Sequence, residues 1–94
     1  MHYVIHCLDH ADAVDRRLAL YEAHKAYLVN APVRILISGP LLADDEATMN
    51  GSCFLVEADS LAGVRAFNDA DPFRIAGIWQ TVSIRPFHKR MDNR

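Results

Sequence analysis

What most constrains this chain is the order of its periodicities. Strand-like runs of β-branched and aromatic residues alternate with stretches that repeat every three or four residues, twice over, within 94 residues. Residues 2–8 read as a first strand. Asp12 then reads as a helix N-cap, with Asp15 favouring the positive end of the helix. Val14, Leu18, Tyr21 and Leu28 recur at helical steps up to about Asn30, and Pro32 marks the end of that amphipathic helix. Residues 34–38 form a second strand, punctuated by Gly39-Pro40. The polar stretch 43–51 closes on Asn50-Gly51, which favours a tight reversal into a third strand at 52–58. Ser60 reads as the N-cap of a second helix with Leu61, Val64 and Phe67 on one face. Asp71-Pro72 opens a further short helical turn, and a last strand is expected at 78–87.

The order β-α-β-β-α-β is the split βαβ, or ferredoxin-like, arrangement. An α+β fold follows, with helices on one face of a four-stranded antiparallel sheet. The length suits one domain with a modest core. Its strands are apolar on both sides: Tyr3, Ile5 and Cys7 alternate with Val4, His6 and Leu8, and Cys53 and Leu55 alternate with Phe54 and Val56. One chain has helices for only one face. The open sheet face is therefore expected to pack on a second copy as a homodimer.

Composition excludes several classes. The formal net charge is -2, and the one basic excess (Arg85, His88, Lys89, Arg90, Arg94) reads as a solvated tail rather than a nucleic-acid stripe. Cys7 and Cys53 are far apart and form no C-x-x-C pair. No apolar run reaches the roughly 18 residues that span a bilayer. No basic segment followed by an apolar one precedes the first strand, so cytoplasmic placement with reduced thiols is the expectation.

His24 is the most informative candidate for chemistry. It lies three residues after Tyr21 and four before Leu28, on the apolar stripe of the first helix. Two readings stand: a packed boundary histidine, or a general acid/base in a cleft, since imidazole exchanges protons near neutral pH. Asp71 before Pro72 reads as an N-cap, and a carboxylate in the same place is also suited to orient a histidine. Two oxygens make these roles compatible. His2, His6 and His10 are evenly spaced, but no carboxylate or thiolate completes a ligand set, and no metal is assigned. His6 is a candidate for lining a pocket. Ser38 precedes Gly39-Pro40, where the backbone allows close approach of a ligand. No G-x-S-x-G elbow, P-loop or dinucleotide fingerprint is present. The cysteines read as small buried side chains.

Several segments taken in order resemble the YciI-like (YCII-related) family: Tyr3-Val4-Ile5, Glu22-Ala23-His24-Lys25-Ala26-Tyr27-Leu28, Ser38-Gly39-Pro40, Asp69-Ala70-Asp71-Pro72-Phe73 and Val82-Ser83-Ile84-Arg85-Pro86-Phe87. The resemblance runs over nearly the whole chain. It implies a dimeric α+β barrel, with the first-helix histidine and the Asp-Pro aspartate as an active-site dyad, here His24 and Asp71. It also implies chemistry of the dehydrochlorinase kind for at least one member. The segment between strands two and three is short here, which alters the rim of a pocket.

The leading expectation is a small cofactor-independent enzyme. His24 would move a proton on a small cyclic or aromatic substrate and Asp71 would orient it, in an elimination or an isomerisation. Ser38 or the backbone at Gly39 would bond a substrate oxygen, and Phe73 or Trp79 would wall the pocket. The alternatives are a non-catalytic ligand-binding or regulatory module and, with nothing in the sequence to suggest a haem pocket, haem coordination.

Overall fold

The structure, a computed structural model, describes residues 1–94. Its elements are β1 (His2–Asp9), α1 (Val14–Val29), β2 (Arg34–Leu42), β3 (Met49–Glu57), α2 (Leu61–Asp69), α3 (Pro72–Ile75) and β4 (Trp79–Phe87). The strands form one sheet in the order β2-β3-β1-β4, every neighbouring pair antiparallel. This is the expected ferredoxin-like α+β fold, with the short α3 inserted before β4.

Strand parity divides the sheet. Tyr3, Ile5 and Cys7 stand opposite Val56, Phe54 and Ser52 of β3, and all six are buried against the helices. Val64, Phe67 and Phe73 close the core from α2 and α3, with Ile78 and Trp79 at its edge. Each large side chain removed from water here contributes about 1.5–3 kcal/mol, so the stabilising mass lies on this side. On the other face Val4 and Leu55 are half-buried, while Leu8, Ile37 and Phe87 are exposed. No helix of this chain covers them.

Four expectations change. The buried stripe of α1 is Arg17, Leu20, His24, Tyr27 and Leu28, whereas Leu18 and Tyr21 face solvent. The helix is rotated away from its most apolar line because Arg17 and His24 have partners inside. Its N-cap is Ala13, without a side-chain bond. Asp12 instead takes a left-handed conformation (φ 59°) that turns the chain into the helix. Strand β2 does not stop at Gly39-Pro40 but continues to Leu42. Pro40 is tolerated because β2 is an edge strand paired only with β3.

The hairpin reverses at residues 43–48 rather than at Asn50-Gly51. The Asp45 carboxylate accepts from the backbone N–H groups of Ala47 and Thr48, each at 2.9 Å, and from the Thr48 hydroxyl. These bonds, led by the hydroxyl, lower its pKa to about 2. Asn50 and Gly51 belong to β3. The expected caps of the later helices are present: Ser60 Oγ accepts from Gly63 N at 3.1 Å, and Pro72 sits at the first position of α3 behind Asp71.

Gly51 is needed for its lack of a side chain rather than for a turn. A Cβ there would stand 2.3 Å from the Cys7 carbonyl oxygen of the neighbouring strand. That contact is with backbone and has no cheap relief. Gly51→Ala should therefore destabilise the protein by about 1–3 kcal/mol, read as a lower urea midpoint at unchanged slope. An unshifted midpoint would show that the two strands are not held this closely.

Candidate functional site

The site is built where α1 and α3 meet over the end of the sheet. Asp71 caps α3, and its Oδ1 accepts from Phe73 N at 2.9 Å. The same oxygen lies 2.8 Å from His24 Nδ1. Asp71 is 1% exposed and His24 9%. A carboxylate only accepts, so it places the imidazole proton on Nδ1 and leaves the lone pair on Nε2. Nε2 makes no hydrogen bond within the chain and is not among the sealed polar atoms. His24 lines a cavity of about 300 Å³.

Aromatic packing fixes the ring. Phe73 stacks on His24 with centroids 4.0 Å apart and planes 3° from parallel. Phe54 meets it edge-on at 6.3 Å. A ring held by one hydrogen bond and two aromatic neighbours has lost most of its rotamer freedom before any ligand arrives, which suits it to proton transfer. Next to it, Tyr27 donates its hydroxyl to the Phe67 carbonyl at 2.8 Å, and burial, with the nearby Asp71 charge, pushes its pKa up.

Residues His24, Ser38, Gly39, Pro40 and Phe73 all line the cavity. Asp71 stands behind His24 and does not. Trp79 is not a wall of the cavity. It is buried behind Phe73 and Phe54, edge-on to both at 6.1 and 6.2 Å. His6 is on the wrong side of the sheet. Ile5 and Cys7 point to the helices, so the two-residue period turns His6 to the open face, opposite Cys53 and Ser83. No group of three or more His, Cys, Asp and Glu side chains converges anywhere in the fold. Burial raises the Cys7 thiol to about 12, which leaves it unreactive as a nucleophile.

Arg17, Asp9 and Ser52 did not stand out in the sequence. Arg17 is 4% exposed. Its Nε donates to Asp9 Oδ2 at 2.5 Å, and its Nη2 donates to Asp9 Oδ1 at 3.2 Å, to Ser52 Oγ at 2.6 Å and to the Gly51 carbonyl. The guanidinium carbon stands 5.0 Å from the centroid of the Phe73 ring. One signal was available: Arg17 precedes His24 by seven residues, two helical turns, and so shares its face. With Lys25 at the rim, the lining carries three cationic side chains or potential cations and no carboxylate.

Comparison with known proteins gives the family and the fold. Residues 1–88 match the YCII-related domain family. Protein YciI of Escherichia coli is 38% identical over 96 aligned positions, covering 95% of this chain and 98% of that protein. An uncharacterized protein of Haemophilus influenzae is 33% identical over the same shares. Among solved structures, 5-chloro-2-hydroxyhydroquinone dehydrochlorinase from Burkholderia phenoliruptrix, in complex with 2,5-dihydroxybenzoquinone, superposes with a TM-score of 0.83. It is 31% identical and covers 94% of each chain. An antibiotic biosynthesis monooxygenase, at 17% identity and a TM-score of 0.56, shares the fold.

Removing one partner of a buried ion pair leaves the other charged and dry, at about 3–5 kcal/mol. Arg17→Met should therefore lose stability on that scale in urea unfolding, and Asp9→Asn added to it should recover much of the loss. Additive losses from the two changes would mean that Asp9 does not depend on Arg17.

Proposed function

Because the chain belongs to the YCII-related family, we propose that it is a small enzyme in which His24 is the general base and Asp71 orients it, acting on a small cyclic or aromatic metabolite. The 2.8 Å contact between His24 Nδ1 and Asp71 Oδ1, beside a cavity that His24 lines, carries this reading. Nε2 takes a proton from an acidic O–H or C–H of the bound ring. Asp71 accepts Nδ1–H throughout and stabilises the imidazolium that results. In an elimination, the proton taken from a ring O–H is returned to the carbon that bears chlorine, which gives the keto tautomer with an sp3 C–Cl; Nε2 then takes a second O–H proton, the electron pair forms the new π bond, and chloride departs. The products are the unsaturated ring, a chloride ion and a proton on His24. In an isomerisation the same nitrogen returns the proton to another atom. Ser38 and the backbone at Gly39 hydrogen-bond a substrate oxygen, and Phe73 walls the cavity beside the reacting ring. No cofactor takes part. The relative named as a dehydrochlorinase supports the elimination version.

The whole of residues 1–94 acts as one such domain in the cytoplasm, with Cys7 and Cys53 as free thiols. Two copies pair through the open sheet face. Its central row is Ile37, Leu55 and Val4, which stand opposite one another on three neighbouring strands with no helix above them. An apolar sheet face left in water favours self-association.

The catalytic reading is tested by chloride release from 5-chloro-2-hydroxyhydroquinone. His24→Ala and Asp71→Asn should each lower turnover by about 10²–10⁴-fold with unchanged circular dichroism, since an asparagine oxygen still caps α3. An active His24→Ala protein removes the mechanism. Thermal stabilisation by 2,5-dihydroxybenzoquinone with no turnover of any substrate would point to a binding module instead. For the assembly, sedimentation equilibrium should give a dimer, and Leu55→Asp a monomer. A parent protein that sediments as a monomer rules out the pairing.

A further inference from the structure

The mechanism above makes no use of Arg17, the one arginine that the fold buries. Its two edges differ. The Nε and Nη2 edge is fully taken up by Asp9, Ser52 and the Gly51 carbonyl. Nη1 has no hydrogen-bond partner within the chain. Nor is it one of the three sealed side-chain atoms that lack a partner, which are Asn68 Nδ2, Asp71 Oδ2 and Trp79 Nε1. A guanidinium nitrogen that is neither bonded nor sealed opens on a space, and the space that Arg17 lines is the cavity of His24.

An arginine locked along one edge presents its other edge as a pair of preorganised donors. Little side-chain entropy is left to lose when an acceptor arrives. Asp9 balances the net charge from behind, but the two Nη1–H donors remain free. Lys25, also in the lining, is already paired with Glu22 at 3.2 Å, so the free cationic donor is Arg17 Nη1, and no lining residue is a carboxylate. Arg17 and His24 lie two turns apart on α1, about 10 Å between their Cα atoms, and both flank the Phe73 ring. Arg17 and His24 both line the cavity, so a flat ring held there lies within reach of the two side chains.

We propose that the cavity takes a small ring bearing an oxyanion (a phenolate, an enolate or a ring carboxylate), whose charged oxygen is received by Arg17 Nη1 while His24 stays within reach of the same ring. The proposal rests on the reading of this cavity as the substrate site. It is tested by equilibrium binding rather than by turnover, so the two fail separately.

The probes are two matched pairs, benzoate with benzamide and 4-nitrophenolate with 4-nitroanisole, each titrated into the full-length protein by calorimetry and by NMR of the arginine side-chain nitrogens. The anion should bind about tenfold or more tightly than its neutral partner in at least one pair, the scale of a charge-assisted hydrogen bond. The Arg17 Nη resonances should move with the anion and not with the neutral ring. In the Asp9→Asn/Arg17→Gln protein, which removes both charges of the buried pair together, the preference should fall to about onefold. In His24→Ala it should persist even though turnover is gone. Equal affinities within both pairs, binding of neither member of either pair, or Arg17 resonances that stay still at saturating anion would each overturn the proposal. The NMR arm uses the unaltered protein and does not depend on a variant folding.

Discussion

One carboxylate oxygen holds the site together. Asp71 Oδ1 accepts both the first free backbone N–H of α3 and the Nδ1 proton of His24. The first contact belongs to the fold and the second to the candidate site. Because they share an atom, the orientation of the imidazole is set by the start of a helix rather than by a flexible side chain. Phe73, two residues on, is carried by the same turn and stacks on the ring that Asp71 holds. A four-residue helix that contributes little to the core as a helix thereby positions the hydrogen-bond partner and the stacking partner of His24 at once.

The same logic explains why α1 buries two polar residues. A buried cation or imidazole costs several kcal/mol unless its hydrogen-bonding groups are met. The helix puts Arg17 and His24 on its inner stripe because two carboxylates from other elements wait for them, Asp9 at the end of β1 and Asp71 ahead of α3. Both partners are almost completely buried, and Phe73 lies against both of the residues they hold. The apolar residues Leu18 and Tyr21 are turned to solvent as the consequence. This trade of apolar contact for paired charge is concentrated along one helix beside one cavity.

The sheet separates structure from chemistry by parity. Inward residues of β1 and β3 build the core, and Ser38, on the edge strand β2 and opposite Phe54, reaches the cavity. The outward set, with Val4, Leu55 and Ile37 in one row, has no cover within the chain. The cavity and the uncovered face thus belong to opposite sides of one sheet, and a single residue of register decides which side any strand residue serves.

Much of this was legible in the sequence, because it depends on neighbours along the chain. The alternation of strand and helix periods, Ser60 and Asp71 as caps and the apolar character of both sheet faces are local properties, and they led to the ferredoxin-like order. His24 and Asp71 stood out by residue type and position. The reversal at 43–48, the passage of β2 through Pro40 and the face of α1 did not stand out. The last two are decided by contacts between elements, Pro40 by its place on an outer strand and Arg17 by Asp9 of β1, whereas the reversal is held locally, by the Asp45 carboxylate on Ala47 and Thr48. His6 was within reach, since the alternation that buries Ile5 and Cys7 already turns it outward. Local propensity follows from the chain alone, whereas the pairing of buried charge requires two segments to meet, and only the folded structure brings Asp9 to Arg17 and Asp71 to His24.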